Sequence, residues 1–266
     1  MALLRFIILG CGSSGGVPRI GGIWGDCDPA NPKNQRTRCS LLIERHDNGG
    51  VTRVLIDTSP DMRAQLIRER VPGLDAVFYT HSHADHVNGI DDLRQVVFLT
   101  HRRVPVWADG DTQNELISRF GYAFVQPDGS SYPPICDLHT IRGPVTVEGA
   151  GGRVTLDPFE VSHGDIDALG FRVEGVAYLP DVLSIPEPVW DSHLTGLDCW
   201  ILDALRRKPH PTHAHLALSL EWLDRAKPRR GILTNMHIDM DHATVEAETP
   251  AHISAAYDGM VLDYEV

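Results

Sequence analysis

Short apolar runs and segments with helical spacing alternate along the chain. The apolar runs predict buried strands at residues 3–9, 40–44, 53–57, 76–80, 153–161, 169–173, 176–179, 199–203 and 231–234. Helical spacing predicts helices at residues 59–70, 91–99, 111–120 and 215–225. Strands that alternate with helices indicate an α/β fold, in which helices cover buried strands.

Turn and cap residues set the expected ends of these elements. Ser59-Pro60 is typical of a helix start, because serine caps the first free amides and proline fits the first helical position. Gly121 is expected to end the helix at 111–120. Residues 127–134 contain Gly129 and three prolines and predict a surface loop. No long polar linker divides the chain, so we expect one domain over residues 1–266.

Polar side chains stand where several of the predicted strands end. They are Asp57, His81, Asp181, Asp203 and His237. Rigid scaffolds place reactive groups preferentially at the ends of elements and in the loops that follow them. We therefore expect the functional site to be built from strand ends.

The densest group of such residues follows the predicted strand at 76–80. His81, His83, Asp85 and His86 lie within six residues. Alternate residues of an extended segment point to the same side, so His81 and His83 can hold one ion. Asp85 and His86 follow a turn and can reach a second ion. Imidazole and carboxylate together suit zinc, manganese or iron and need no thiolate.

One segment rarely completes a site for two metals, so further ligands are expected after other strands. His163, Asp181 and His237 each come directly after an apolar stretch. Taken singly, each of these residues is equally compatible with a polar cap at a strand end. The remaining histidines at 210, 213, 242 and 252 are expected at the surface.

Charge and cysteine content narrow the function classes. The net charge is −12, from 24 basic and 36 acidic residues. This charge disfavours an extensive electrostatic interface with nucleic acid, whose phosphates are bound by basic side chains. The five cysteines form no CxxC pair and are odd in number, as expected for a reduced, cytoplasmic protein. The first apolar run is short and contains Arg5, and no run of about 18 apolar residues occurs, so neither a secretion signal nor a membrane helix is expected.

Taken together, these residues resemble the signature of the metallo-β-lactamase superfamily. That signature is an aspartate after an early strand, then HxHxDH, a lone histidine, a lone aspartate and a last histidine. In this chain the matching residues are Asp57, then His81, His83, Asp85 and His86, then His163, Asp181 and His237. The resemblance implies a four-layer αβ/βα sandwich of two mixed sheets flanked by helices.

The resemblance also implies a binuclear site of two divalent ions, manganese or zinc. One ion would be held by His81, His83 and His163. The other would be held by Asp85, His86 and His237. Asp181 would bridge the two ions, and Asp57 would orient the cluster without binding metal.

The amino-terminal segment resembles one branch of the superfamily. Residues 9–18, Trp24-Gly25 and Arg38-Cys39-Ser40 are similar to the phosphoribosyl 1,2-cyclic phosphate phosphodiesterase of phosphonate breakdown. By this resemblance His215 corresponds to a catalytic acid or base. That enzyme also carries a structural zinc, but here Asp26, Asp28 and Met240 stand at ligand positions, so no structural zinc is expected.

The sequence therefore predicts a metal-dependent hydrolase, most simply a phosphodiesterase for a small cyclic or nucleotide-like phosphodiester. A hydroxide shared by the ions would attack phosphorus, and His215 would transfer a proton. Arg19, Arg36 and Arg38 are candidates for binding the substrate phosphate. The expected partner is a small phosphorylated substrate, with no stable nucleic-acid complex and no membrane association, and with a homodimer as the open oligomeric alternative.

Three alternatives remain open. A thioester hydrolase, a lactone hydrolase or a β-lactamase would attack carbonyl carbon and would not need the arginines. A tRNA 3′-processing nuclease shares HxHxDH, but the acidic net charge argues against it. A non-catalytic protein that binds metal and ligand would be expected to have lost at least one ligand.

Overall fold

The computed structural model describes residues 2–126 and 128–266. Its strands are β1 (Leu3–Gly10), β2 (Ser40–Asp47), β3 (Gly50–Ile56), β4 (Ala76–Phe78), β5 (Val104–Ala108), β6 (Cys136–Thr140), β7 (Val145–Gly149), β8 (Gly152–His163), β9 (Ile166–Val173), β10 (Val176–Leu179), β11 (Cys199–Asp203), β12 (Arg230–Thr234), β13 (Ile253–Ala255) and β14 (Met260–Glu265). Its α-helices are α1 (Met62–Arg68), α2 (Ala84–Val87), α3 (Leu93–Thr100), α4 (Gly110–Phe124), α5 (Glu187–His193), α6 (Leu216–Ala226) and α7 (His242–Glu248). Short 3-10 turns occur at Pro32–Asn34 and Ile90–Asp92.

The strands form two mixed sheets of seven strands each, and helices flank them. The order in the first sheet is β14-β1-β2-β3-β4-β5-β6, and the order in the second is β13-β12-β11-β10-β9-β8-β7. In the first sheet β3, β4, β5 and β6 run parallel. In the second sheet β10, β11, β12 and β13 run parallel. Two mixed sheets flanked by helices confirm the α/β expectation.

Residue contacts divide the chain into two compact units. The first unit contains residues 1–9, 40–155 and 261–266, and the second contains residues 10–39 and 156–260. In the first unit, apolar side chains of the sheet, such as Leu42, Val77 and Val106, pack with Leu93 and Leu116 of the helices. These side chains are fully buried, and burial of this kind is the main stabilising term of the unit.

The second unit is held by aromatic side chains on β11, α5 and α6. Trp200 is fully buried, and its ring meets Trp190 edge to face at 5.9 Å. Trp190 in turn contacts Trp222 at 6.2 Å. The guanidinium of Arg225 lies 4.0 Å from the ring centroid of Trp190, which adds a cation–π contact where the helices meet.

Several predicted element ends differ from the structure. The first helix begins at Met62 instead of Ser59, because the Ser59 hydroxyl accepts a hydrogen bond from the Asp61 amide and forms a turn before the helix. Helix α4 continues through Gly121 to Phe124, with a kink at Phe120. Packing of the buried Ala123 outweighs the glycine stop signal.

Two strands that were not predicted, β13 and β14, follow the predicted strand at 231–234. They add to opposite sheets. The strands at 176–179 and 199–203 have the predicted bounds. The predicted loop at 127–134 has neither helix nor strand over 128–134, and Pro127 lies outside the described residues. No helix in the described ranges has the length and apolar character needed to cross a membrane.

Candidate metal centre

The HxHxDH cluster lies in the first unit, directly after the short parallel strand β4. The rings of His81 and His83 meet edge to face at 4.6 Å, and those of His81 and His86 lie 4.3 Å apart. Helix α2 begins at Ala84, so Asp85 and His86 lie in its single turn. His81 and His86 are buried, while His83 is exposed. The four predicted ligands therefore come from one local segment of the chain.

Asp57 supports this cluster from the end of β3. Its carboxylate accepts hydrogen bonds from the Thr80 amide (2.8 Å), the Thr80 hydroxyl (2.8 Å) and His86 Nδ1 (2.7 Å). Its backbone φ is +64°, a conformation that costs energy in a non-glycine residue and often marks a functional constraint. Burial raises the pKa of Asp57, and the contact with His86 opposes that rise.

The same hydrogen bonds fix the orientation of two imidazole rings. The Thr80 hydroxyl donates to Asp57 and lies 2.9 Å from His81 Nδ1. Thr80 therefore accepts from His81 Nδ1, and Asp57 accepts from His86 Nδ1. When neutral, both rings then carry their lone pair on Nε2, the atom used for metal binding. A side chain of α4 also supports the loop, since Arg119 donates to the Ser82 carbonyl.

The second unit has its own cluster at the ends of three parallel strands. The register pairs Leu179 with Leu202 and Asp203 with Thr234. Asp181 follows β10, Asp203 ends β11 and Asn235 follows β12 directly. Because the carboxyl ends of parallel strands meet at one edge, these three side chains converge and all are buried.

His163, at the end of β8, joins this cluster. Its Nδ1 donates to the Thr212 carbonyl at 2.7 Å, which leaves Nε2 as the lone-pair atom. His163 Nε2 lies 3.9 Å from Asp181 Oδ1. Among the described residues of the second unit, one group of three donors gathers within 4.8 Å of one another: His163, Asp181 and His213.

The position of His213 corrects the expectation that it is a surface residue. Its Nδ1 lies 2.9 Å from Asp203 Oδ2 and 3.4 Å from Asp181 Oδ1, and its ring meets that of His163 at 4.5 Å. Only 15% of its side chain is exposed. Burial raises the pKa of Asp203 to about 7, and His213 opposes the rise. The clue in the sequence was the run His210-Pro-Thr-His-Ala-His215, which offers three histidines for one role.

The two other histidines of this unit that have predicted roles are His215 and His237. His215 is the residue before α6, and its carbonyl accepts from the Ser219 amide and hydroxyl. His237 Nδ1 lies 2.9 Å from Asp239 Oδ1, and 21% of its side chain is exposed. Within the described part of this unit, His237 is outside the group of three donors. Both assigned roles remain predictions.

Of the three arginines proposed to bind phosphate, Arg36 has a different environment from the others. It is 2% exposed. Its guanidinium donates to the Met240 carbonyl (2.7 Å) and to Asn34 Oδ1 (3.1 Å). Asn34 in turn donates to Asp241 at 2.6 Å. This buried network argues for a structural role of Arg36.

Arg19 and Arg38 are half-buried and lie beside the glycine-rich loop after β1. A Cβ added to Gly15 would lie 3.1 Å from Arg19 Nε, and one added to Gly16 would lie 3.9 Å from Arg38 Cδ. The loop itself is anchored beside β12, because Gly12 bridges to Met236. Both arginines therefore stay near the strand end that carries Asn235 and His237.

His242 is a further correction, since it is buried instead of exposed. It begins α7 and is 4% exposed. Its amide donates to Asn34 Oδ1 at 2.8 Å, and its ring contacts Tyr257 at 6.1 Å. Burial lowers the pKa of His242. These contacts make it part of the packing around Asn34.

The donor chemistry of both clusters fits divalent metal ions. His81, His86, His163 and His237, the predicted ligands, each have Nδ1 within hydrogen-bond distance of an oxygen. Metal-binding histidines are usually held in this way, because the bond fixes the ring and the tautomer. With carboxylates beside them, these rings form a nitrogen and oxygen donor set suited to zinc or manganese.

Comparison with known proteins agrees with this chemistry. The family described as "Beta-lactamase superfamily domain" matches residues 52–238. This range holds every predicted ligand. The chain belongs to this superfamily. It has the metallo-β-lactamase fold.

Individual relatives show which branch of the superfamily the chain resembles. A solved structure described as a new diphosphatase from the PhnP family is 35% identical, with a TM-score of 0.86 over 99% of this chain and 98% of that one. A ribonuclease Z of Bradyrhizobium diazoefficiens is 31% identical over 58% of this chain and 50% of its own length.

A third relative is an octanoyltransferase of Porphyromonas gingivalis. It is 32% identical over 97% of this chain and 51% of its own length. This chain therefore spans about half the length of that relative. This chain is similar to one part of that longer Porphyromonas gingivalis protein.

Proposed function

We propose that this chain is a metal-dependent phosphodiesterase that acts on a small cyclic or nucleotide-like phosphodiester. The observation that carries the proposal is His213, a histidine held at Nδ1 by the buried Asp203 beside the predicted ligand Asp181. A phosphodiester has a poor leaving group, so a proton donor next to the metal ligands is the group that its hydrolysis needs. The names of the relatives, a diphosphatase and a ribonuclease, support chemistry at phosphorus.

We assign the metal ligands by the superfamily pattern. His81, His83 and His163 would hold one ion, Asp85, His86 and His237 would hold the other, and Asp181 would be shared by both. Bound divalent ions supply Lewis acidity at phosphoryl oxygens and lower the pKa of bound water. Asp57 orients His86 directly and His81 through the Thr80 hydroxyl.

We assign the proton transfer to His213 in preference to His215. With Nδ1 held by Asp203, the Nε2 atom of His213 is the one that can exchange a proton with substrate. His215 has its main chain in the start of α6, and no comparable carboxylate holds its ring among the described contacts. The general acid therefore stands two residues earlier than the sequence resemblance indicates.

Arg19 and Arg38 bind the negative charge of the substrate. They flank a glycine-rich turn in which Gly16 donates to the Ser13 carbonyl at 2.7 Å. Charge-assisted hydrogen bonds from guanidinium groups suit phosphoryl oxygens. Binding by these two guanidinium groups favours a small anionic substrate even though the net charge of the chain is −12.

The test is turnover of bis(p-nitrophenyl) phosphate by protein loaded with manganese or zinc. Asp181→Ala serves as the blank, because it removes the shared carboxylate while leaving the fold of the sheets. We expect metal-dependent release of p-nitrophenolate by the wild type and none by the variant. Equal turnover by the two proteins would contradict the metal assignment. Absence of turnover in a wild type that retains metal would contradict phosphodiesterase activity.

A second candidate is a thioester hydrolase, and one observation favours it. The Porphyromonas gingivalis octanoyltransferase contains a region that matches 97% of this chain, so a related region exists in a protein that moves an acyl group. Octanoyl-coenzyme A with a thiol reagent is the corresponding assay. Thiol release that depends on Asp181, together with no diester turnover, would select this candidate.

A further inference from the structure

Asn235 is a buried amide placed between two carboxylates of the second unit. Its Nδ2 lies 3.2 Å from Asp181 Oδ1 and 3.2 Å from Asp203 Oδ1. The same nitrogen lies 3.3 Å from His213 Nδ1. Asn235 is 2% exposed. One side chain therefore touches a predicted metal ligand, the proposed general acid and the carboxylate that holds that acid.

The backbone at Asn235 is also constrained. Its φ is +59°, a region that asparagine tolerates better than most residues but that still costs energy. The residue follows β12 directly, and the backbone on either side is engaged in the strand edge: the Thr234 carbonyl accepts from the Ala204 amide, and the Met236 amide donates to the Cys11 carbonyl. The sheet edge thus imposes the conformation that turns the amide toward Asp181.

Asp57 is the counterpart of Asn235 in the first unit. Each residue follows an interior strand of its sheet, has a positive φ and is buried, and each contacts a predicted metal ligand. Asp57 holds histidines and is an acceptor. Asn235 holds carboxylates and is a donor. The side chain at each strand end has the hydrogen-bonding character that its neighbours require.

We infer that Asn235 is a positioning residue that couples the metal ligand Asp181 to the proton-transfer pair of Asp203 and His213. This inference rests on the proposed function. The two amide hydrogens of Nδ2 can satisfy one oxygen of each carboxylate. They thereby set the rotation of both carboxyl groups at once, so that Asp181 presents a fixed edge to metal and Asp203 presents a fixed acceptor to His213.

The physical reason for an amide at this position is charge. Two carboxylates in a buried pocket repel each other, and a neutral donor between them relieves part of that repulsion. An aspartate at position 235 would keep the shape and the tolerance for positive φ but would place a third carboxylate there. A glycine would keep the backbone conformation and remove the amide.

The test compares Asn235→Gly and Asn235→Asp with matched controls at Asn48. Asn48 lies in the exposed turn between β2 and β3 and also has a positive φ, of +49°. Asn48→Gly and Asn48→Asp therefore reproduce the backbone change without the contacts. Two readouts are used: zinc affinity by chelator competition, and kcat with methyl p-nitrophenyl phosphate against methyl phenyl phosphate.

For Asn235→Gly we expect zinc affinity to fall by about 10–100-fold. We expect kcat to fall further for the phenyl than for the p-nitrophenyl diester, because the poorer leaving group depends more on a well-placed acid. Asn235→Asp should show the same increased dependence on the leaving group. Both Asn48 variants should match the wild type in zinc affinity and in leaving-group dependence.

Several results would overturn the inference. If Asn235→Gly only lowers the melting temperature and keeps wild-type zinc affinity and leaving-group dependence, the role of Asn235 is structural. If zinc affinity falls but leaving-group dependence does not change, Asn235 does not couple the ligand to the acid. If the wild type hydrolyses neither diester, the proposed function fails, while unchanged zinc affinity in Asn235→Gly would still reject the link to Asp181.

Discussion

In the first unit four predicted ligands follow one strand within six residues, whereas in the second unit the clustered polar residues follow four different strands. The ligands of the first cluster come from a short extended stretch and one turn of α2, and the Asp57 carboxylate at the end of β3 supports them. The second depends on the register of β10, β11 and β12, which aligns Asp181, Asp203 and Asn235 at one edge.

The two clusters also differ in their supporting groups. The first is rich in histidine and is held by a carboxylate, whereas the second contains two carboxylates and is held by an amide. In both clusters a buried residue with a positive φ at a strand end contacts the predicted ligands. The costly backbone conformation therefore belongs to the supporting residues Asp57 and Asn235, which orient the groups expected to bind metal.

The largest expected effect comes from removing the shared ligand of the second cluster. Asp181→Ala should abolish metal-dependent turnover, because no other described carboxylate occupies its position beside His163 and His213. Turnover of bis(p-nitrophenyl) phosphate and metal content by mass spectrometry are the measurements. A variant with wild-type turnover would show that the second cluster is not a metal site.

The corresponding change in the first cluster is Asp57→Asn. The variant keeps the size of the side chain but loses the charge that orients His86, so turnover should fall by about 10–100-fold with reduced metal affinity. Zinc titration of the variant alongside wild type measures the effect. If affinity and turnover are unchanged, the local sequence alone holds the first cluster and Asp57 is dispensable.

The proton-transfer assignment separates two histidines that lie two residues apart. His213→Ala should reduce kcat for methyl phenyl phosphate by about 10²–10⁴-fold while metal content stays constant. His215→Ala is the matched control and should change kcat by less than about threefold, because its ring is not held by Asp203. The reverse order of effects would restore the role that the sequence resemblance gives to His215.

The smallest expected effect concerns stability. Asp241 accepts hydrogen bonds from the amides of Thr244 and Asp28 and from Asn34. Burial acts to raise the pKa of Asp241, but these bonds together hold it well below its usual value. Asp241→Ala should lower the free energy of unfolding at pH 7 by about 2 kcal/mol, from the lost helix cap and the lost hydrogen bonds.

The pH dependence of this loss follows from the direction of the shift. A carboxyl whose folded pKa lies below its unfolded value stabilises the fold at pH above about 4, and that contribution disappears as pH falls through the folded pKa. The difference in unfolding free energy between wild type and Asp241→Ala should therefore shrink below pH 4. Urea unfolding at pH 7 and at acidic pH measures it, and a constant difference would show that the carboxylate charge is not involved.

The sequence by itself determined the HxHxDH cluster, the α/β fold class and the bounds of β10 and β11. It could do so because the ligand spacing lies within one local segment and because buried strands appear as continuous apolar runs. The family signature also indicated Asp57, but the positive φ that presents its carboxylate to His86 was not readable from the sequence.

Only the tertiary structure decided which of the later polar residues converge. His213, Asp203 and Asn235 are separated along the chain by up to 32 positions, and the register of parallel strands brings them together. The same long-range packing buries Arg36, a candidate for binding phosphate, and His242, which was expected at the surface. Local pattern fixes which residues can form a strand or bind a metal, whereas strand pairing fixes which of those residues meet.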